Sequence, residues 1–144
     1  YEGLTVLYKN IRRYKKLILI YDANKQPRGI KSGFELFCSR NKIKHGILGG
    51  VDDKVIQKGE IYFTLDDRDL IITIQKLKQT SYQLGQDIGI ISFNDTLLKE
   101  ILEGGITTIS ADFKFMGSHL AKMLKNNALS QIENPKKVIL RKSR

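Results

Sequence analysis

The apolar residues of this chain form short runs that alternate with segments of helical periodicity. The runs have the length of single strands and are bounded by glycine or polar residues. They lie at 17–21, 61–65, 88–93, 106–110 and 138–140, with a weaker run at 43–48. Between them, apolar residues recur every three or four positions, which predicts helices at 4–16, 30–38, 70–78, 97–102 and 113–124. This alternation predicts an α/β fold with a mostly parallel sheet and helices on both faces.

One segment is ambiguous by pattern alone. Its three isoleucines favour a strand because they are β-branched, whereas Leu70, Ile74 and Leu77 keep helical spacing. A helix here would join the strand ending at Leu65 to the strand starting at Ile88 by an ordinary parallel crossover. We therefore predict a helix.

The apolar residues at 88–93 are Ile88, Ile90, Ile91 and Phe93, a short and largely β-branched set that predicts a strand buried on both faces. It ends in polar residues, as do two other predicted strands. In an open α/β sheet, ligands bind beyond the carboxyl ends of the strands. The polar residues at those ends are Asp22, Asp66, Asp67, Asn94 and Asp95. Such a rim suits a polyhydroxylated ligand, but helix caps and loop turns would produce the same residues, and Asp95 or Thr96 could cap the next helix.

The length of 144 residues and the hydrophobic content of 41% are enough for one ordinary domain. The first residues show neither an initiator methionine nor a signal peptide, so we expect the interior of a longer protein. No apolar run has the length of a membrane span. The single cysteine, Cys38, fits a reducing, cytoplasmic compartment. It shares a helical stripe with Phe34 and Phe37, which predicts a small buried side chain rather than a reactive thiol.

The net charge is +10, from 25 basic and 15 acidic residues, which would attract acidic partners. The basic residues are dispersed and cluster only at 12–16 and 136–144, without interleaved aromatic residues. This distribution is typical of solvated faces rather than of a DNA-binding groove. His45 and His119 have no partner at metal-ligand spacing, so no metal or cofactor is predicted.

Several of these segments resemble the effector-sensing domain of LacI/GalR-family transcriptional regulators. The resemblance is carried by Leu65-Asp66-Asp67, by residues 85–96, by Thr107-Thr108-Ile109 and by Asp112-Phe113, and it extends over nearly the whole chain. The stretches 94–101 and 105–110 look more like the similar sensor domains found behind GntR-type winged helices.

The resemblance implies a fold like that of periplasmic sugar-binding proteins, with two α/β lobes joined by three crossing strands. Residues 1–110 would form the C-terminal lobe, 111–137 would belong to the other lobe, and 138–144 would be the final crossing strand and tail. The DNA-reading domain would lie upstream. The implied protein is a non-enzymatic sensor that binds a small effector and acts as a homodimer.

Six ligand-binding residues follow from the resemblance and the polar rim. Asp66 and Asp67 stand where the family has an Asn-Asp pair, and Asn94 stands where an Asp usually binds sugar hydroxyls. Phe113 would be the aromatic residue that packs on the ligand near the hinge. The remaining two are Asp95 and Arg28. The family's cleft arginine is replaced by Ile30, with Arg28 two positions away, so the sugar-like effector can differ from the family's usual ones.

Other classes remain as alternatives. A phosphoacceptor receiver domain would use Asp22 and Asp66, but its paired acids and strand-end lysine are not at convincing positions. An enzyme is not predicted, because the chain has no glycine-rich phosphate loop and no nucleophile elbow. An exported sugar-binding protein fits the basic charge poorly. The apolar face of the helix at 113–124 would need a partner, which predicts a homodimer or higher oligomer, with exchange of C-terminal segments as one route.

Overall fold

The computed structural model describes residues 1–126 and 132–144, which fold as an α/β domain. The strands are β1 (Lys16–Ile20), β2 (His45–Leu48), β3 (Glu60–Thr64), β4 (Gly89–Phe93), β5 (Thr107–Ala111) and β6 (Lys136–Ile139). The helices are α1 (Glu2–Val6), α2 (Tyr8–Ile11), α3 (Arg28–Arg40), α4 (Asp67–Lys78), α5 (Leu97–Ile101) and α6 (Phe113–Asn126), with a 3₁₀ turn at Leu102–Gly104.

The strands form one sheet in the order β2-β1-β3-β4-β5-β6. Strands β1 to β5 are parallel, and β6 runs antiparallel to β5. The register pairs Ile20 with Thr64 and Thr64 with Ser92, so β1, β3 and β4 end at the same edge of the sheet. The predicted fold class, a mostly parallel sheet in an α/β domain, is confirmed.

Strand β4 lies inside the sheet and is buried on both faces, as predicted. Ile91 packs in the cluster that includes Phe34 and Phe37 of α3. Ile90 points the other way and packs with Leu70 and Ile74 of α4. Each face of the sheet therefore has its own hydrophobic core, with α1, α2 and α3 on one side and α4 on the other.

The ambiguous segment is helix α4, as connectivity predicted. The carboxylate of Asp66 accepts a hydrogen bond from the backbone N–H of Asp69 at 2.9 Å and caps the helix. Acidic residues in the first turn and Lys76 and Lys78 in the last turn complement the helix dipole.

The glycine before β4 is required by the C-terminal tail. Gly85 has a φ of +81°, and a Cβ there would lie 2.2 Å from the carbonyl oxygen of Lys142. The tail continues along β4, where the N–H of Ile90 donates to the carbonyl of Ser143 at 2.7 Å. The last residues thus contribute to the main sheet domain.

The first predicted helix was wrong in its extent. It is interrupted at Leu7, whose backbone angles of −85° and 2° separate α1 from α2, and α2 ends at Ile11. The short helix predicted at 97–102 is present as α5, and its apolar residues Leu97, Leu98 and Ile101 are 84%, 45% and 75% exposed. This helix has only five residues, and the side chain that it buries is that of Lys99.

Helix α6 begins as predicted, because the Asp112 carboxylate accepts from the N–H of Phe115 at 2.9 Å. Its apolar residues Met116, Leu120 and Leu124 are exposed. The division at 110 and 137 remains a prediction, and residues 127–131 of its middle segment lie outside the described residues. Among the residues described, no helix has both the length and the apolar character needed to cross a lipid bilayer.

Cys38 is buried among the residues that pack α3 against the sheet. Burial raises the pKa of its thiol to about 12. Both observations confirm the expectation of an unreactive core side chain.

The packing of α3 gives a test of the fold. Phe34 is 1% exposed, whereas Leu36 on the same helix is 44% exposed. We expect Phe34→Ala to lower the free energy of unfolding by about 3–5 kcal/mol, because it removes a ring from the core and leaves a cavity. Leu36→Ala, the matched control, should change it by less than about 1 kcal/mol. Equal losses in urea denaturation would contradict this packing.

Candidate functional site

The carboxyl edge of the sheet is built around a buried lysine. The Lys99 side chain is 2% exposed. Its ammonium group donates to the backbone carbonyls of Phe93 at 2.8 Å and Asn94 at 2.9 Å, and it forms an ion pair with Asp67 at 2.9 Å. Three oxygen partners satisfy its three N–H donors. Lys99 thereby brings two predicted site residues, Asp67 and Asn94, to the same place.

Sequence reasoning missed Lys99. It occurs in a segment with the pattern Leu-Leu-Lys-Glu-Ile, where a lysine is expected on the solvent side of a helix. Its burial follows from the short length of α5 and from the position of Asp67 across the edge. Neither feature has a local sequence signal.

Asn94 directly follows β4 and has a left-handed backbone conformation, with a φ of +59°. Asn tolerates this conformation better than most residues. Its N–H donates to the carbonyl of Ile109 at 2.9 Å, which holds the turn against β5. The strand therefore ends at the carboxyl edge of the sheet, where a ligand would bind.

Asp95 is held by the C-terminal tail. The Arg141 guanidinium donates to both of its carboxylate oxygens, at 2.6 and 3.1 Å, and the Thr108 hydroxyl donates at 2.9 Å. The hydrogen bond from Arg141 holds the pKa of Asp95 below its usual value, against the opposing effect of burial. The cap of α5 is Thr96, whose hydroxyl accepts from the N–H of Lys99 at 3.4 Å.

The other predicted site residues lie apart. Arg28 is the first residue of α3 and is exposed, and Phe113 is the first residue of α6 and is 52% exposed. Among the described residues, no recorded hydrogen bond or ion pair links either of them to Asp66, Asp67 or Asn94. The structure joins Asp67 and Asn94 through Lys99, and it leaves Asp66 as a helix cap.

Next to this edge lies a cavity of about 430 Å³, on the face of the sheet covered by α1 and α3. Its walls are mostly apolar and include Ile30, Phe34, Phe63, Phe93 and Ile109. Its polar lining residues include Glu2 at the start of α1 and Glu133 and Asn134 in the segment before β6. None of the six predicted site residues is among the described residues that line the cavity, although Ile30 and Phe93 are close neighbours of Arg28 and Asn94 in sequence.

The acids that a receiver domain would use have ordinary structural roles. Asp22 accepts from the N–H of Asn24 at 2.9 Å and pairs with Lys25 at 3.3 Å, and Asp66 caps α4. Within residues 1–126 and 132–144, no group of three or more His, Cys, Asp or Glu residues is placed to hold a metal ion.

The Asp95–Arg141 pair gives a test of the site geometry. Arg141→Gln should lower the free energy of unfolding by about 1–3 kcal/mol at pH 7, because it leaves a half-buried carboxylate without its charged partner. The folded-state pKa of Asp95 is depressed, so its contribution is present above the unfolded pKa, about 3.9, and is lost as the pH falls through the folded value. The difference between the two proteins should therefore shrink in acid.

Urea denaturation at several pH values measures this difference. Arg68→Gln is the control, because the Arg68–Asp52 ion pair is largely exposed and should contribute less than about 1 kcal/mol. A difference for Arg141→Gln that does not change between pH 7 and acid would contradict the assignment.

A family described as periplasmic binding protein-like domain matches residues 12–143. No curated protein sequence matches the chain. Solved structures do match, among them three with TM-scores of 0.73 to 0.74.

A probable maltose operon transcriptional repressor from Staphylococcus aureus has 19% identity and a TM-score of 0.73, with 99% of this chain and 58% of that chain covered. A LacI family transcriptional regulator from Bifidobacterium animalis subsp. lactis has 11% identity and a TM-score of 0.74, with coverages of 99% and 60%. The lactose repressor bound to an anti-inducer has 17% identity and a TM-score of 0.74, with the same coverages.

At these identities the structural likeness shows a shared fold, and the chain spans about 60% of the length of these three proteins. The family match is broader evidence, because it covers nearly the whole sequence and includes the motifs at the carboxyl edge. The chain belongs to the periplasmic binding protein-like family, in agreement with the resemblance of its motifs, and it has the fold of LacI-type repressors.

Proposed function

We propose that this chain is the ligand-sensing part of a transcriptional regulator, which binds a small effector beside the carboxyl edge of the sheet. The observation that carries the proposal is the position of the cavity of about 430 Å³, next to the ends of β3, β4 and β5. Ligands of open α/β sheets bind at this edge, and the volume is within the range of small-molecule pockets. DNA would be contacted through another part of the protein.

The connection to α6 supports a sensing mechanism. Strand β5 leads out of the sheet to α6, and β6 returns beside β5 in antiparallel pairing, Ala111 against Lys136. The segment 111–137 is therefore attached through two adjacent strands. An effector held between the main sheet domain and a second lobe would favour one relative arrangement, and DNA binding would respond to that shift.

The six residues predicted from the sequence, Asp66, Asp67, Asn94, Asp95, Phe113 and Arg28, remain a proposal as ligand contacts. The family resemblance supports a sugar-like effector at these positions. We propose binding rather than catalysis as the activity, since the family is one of binding proteins. A regulator of this type would act in the cytoplasm, which suits the single buried cysteine, Cys38.

We further propose a homodimer that uses the exposed apolar side chains of α5. Leu97 and Ile101 are 84% and 75% exposed. The Lys99–Asp67 ion pair places α5 beside the first turn of α4, and Ile71, one turn after Asp67, is 42% exposed. We propose that these exposed side chains form one apolar patch that acts as an interaction surface. A second copy fits it because the patch is self-complementary in chemistry.

A thermal-shift screen tests the sensor function. The intact protein is heated with a panel of sugars, sugar phosphates, sugar acids and neutral aromatic compounds. A true effector at one hundred times its dissociation constant should stabilise the protein by about 2.7 kcal/mol. No stabilisation by any compound would contradict the proposal.

Sedimentation velocity tests the dimer. The double variant Leu97→Asp/Ile101→Asp should weaken self-association at least about tenfold, because it places charges in an apolar contact. Val55→Asp is the control, since Val55 is 74% exposed and lies outside α4 and α5. A wild-type monomer, or a dimer unaffected by the double variant, would rule out this interface.

A further inference from the structure

The cavity differs in chemistry from the polar rim that the sequence predicts. Its walls include the side chains of Phe34, Phe63 and Phe93, together with Ile30 and Ile109. A polyhydroxylated ligand needs a hydrogen-bonding partner for most of its hydroxyls, and these five side chains provide none. The polar residues of the lining lie at one side, at the start of α1, at the end of β5 and at 133–136. Aromatic rings pack well against phenylalanine in stacked or edge-to-face arrangements. The walls therefore favour a ligand that is flat and largely apolar.

The carboxylates that could bind sugar hydroxyls already have protein partners. Asp67 pairs with Lys99, Asp95 pairs with Arg141, and Asp66 caps α4. Their remaining acceptor sites stay available to a ligand at the edge, but none of the three residues lines the cavity. An apolar ligand in the adjacent cavity leaves all three intact.

One polar side chain of the cavity has unused hydrogen-bonding groups. Asn134 lines the cavity, and neither its Nδ2 nor its Oδ1 has a hydrogen-bond partner among the described residues, although both atoms are buried. An unpaired buried amide is unfavourable. A rotation that turns it toward a ligand breaks no recorded hydrogen bond. Because the amide offers a donor and an acceptor side by side, its best partner is another amide or lactam edge.

The charges around the cavity favour a neutral ligand. Lys136 donates to Glu2 at 2.7 Å and to Glu133 at 2.9 Å, so this side-chain cation is already paired with two carboxylates. Ile30 occupies the position where the family resemblance places an arginine. An anionic ligand would therefore meet carboxylates without an unpaired lysine or arginine among the described lining residues.

We infer that the effector is a neutral aromatic compound with an amide or lactam edge, bound in this cavity with its ring against the phenylalanine walls and its polar edge on Asn134. The inference rests on the proposed sensor function and gives it a ligand class. It replaces the sugar-like effector and the six contacts expected from the family resemblance, and it places the main specificity at Asn134 and Ile30.

Isothermal titration of the intact protein with 2-naphthamide tests the inference, with 2-naphthoate as the charged analogue and neutral sugars for comparison. We expect saturable binding of 2-naphthamide, at least about tenfold tighter than that of 2-naphthoate. Asn134→Ala should weaken binding of 2-naphthamide by about tenfold, the effect of losing roughly one hydrogen bond. Asn24→Ala, at an exposed position outside the cavity, should leave it unchanged.

Ile30→Arg provides a second variant, because it introduces a large charged side chain into the cavity wall and should abolish binding of 2-naphthamide. Undiminished binding in both Ile30→Arg and Asn134→Ala would overturn the site. Binding of a sugar without binding of 2-naphthamide would overturn the ligand class and leave the sensor function standing. If neither 2-naphthamide nor any compound of the thermal-shift panel binds, both the ligand class and the sensor function are overturned.

Discussion

The carboxyl edge of the sheet depends on the buried ammonium group of Lys99. A lysine that is 2% exposed must recover within the protein the hydrogen bonds that water would provide. Lys99 does so with the carbonyls of Phe93 and Asn94 and with the carboxylate of Asp67. A single charge from α5 thus fixes the end of β4 against the first turn of α4. Without it, two carbonyls and a carboxylate at this edge would lose their shared partner.

The acidic residues at the edge have structural roles, because each makes contacts within the protein. Two of them are paired with a cation, because Arg141 acts on Asp95 as Lys99 acts on Asp67. The cavity beside them is bounded by phenylalanine and isoleucine side chains and by Asn134, whose amide has no hydrogen-bond partner among the described residues. A sensor of this construction would discriminate ligands mainly by shape and by one polar edge, rather than by attraction between charges.

Much of the fold was predictable because it depends on local apolar pattern and chain connectivity. A short, β-branched set of apolar residues predicted β4, and the need for a parallel crossover assigned α4 as a helix in spite of its isoleucines. The pattern predicted the short helix α5 but not which side chain it buries. Leu97 and Ile101 are exposed, and the buried side chain is that of Lys99.

The site was only partly predictable, because its contacts join residues that are far apart in the sequence. The polar ends of β3 and β4 were visible in the sequence, but the partners of Asp67 and Asp95 are 32 and 46 residues away from them. The cavity walls come from α3, β3, β4 and β5, and no local motif connects them.

The most direct test of the proposed sensor function is DNA binding by the intact protein, which would include the DNA-binding part outside this chain. Its DNA affinity is measured by fluorescence anisotropy with and without a saturating compound that stabilises it. The account predicts that the compound changes the DNA dissociation constant by a factor of about 5–150, the usual range of coupling between two sites. An identical DNA affinity in the presence and absence of a bound compound would contradict it.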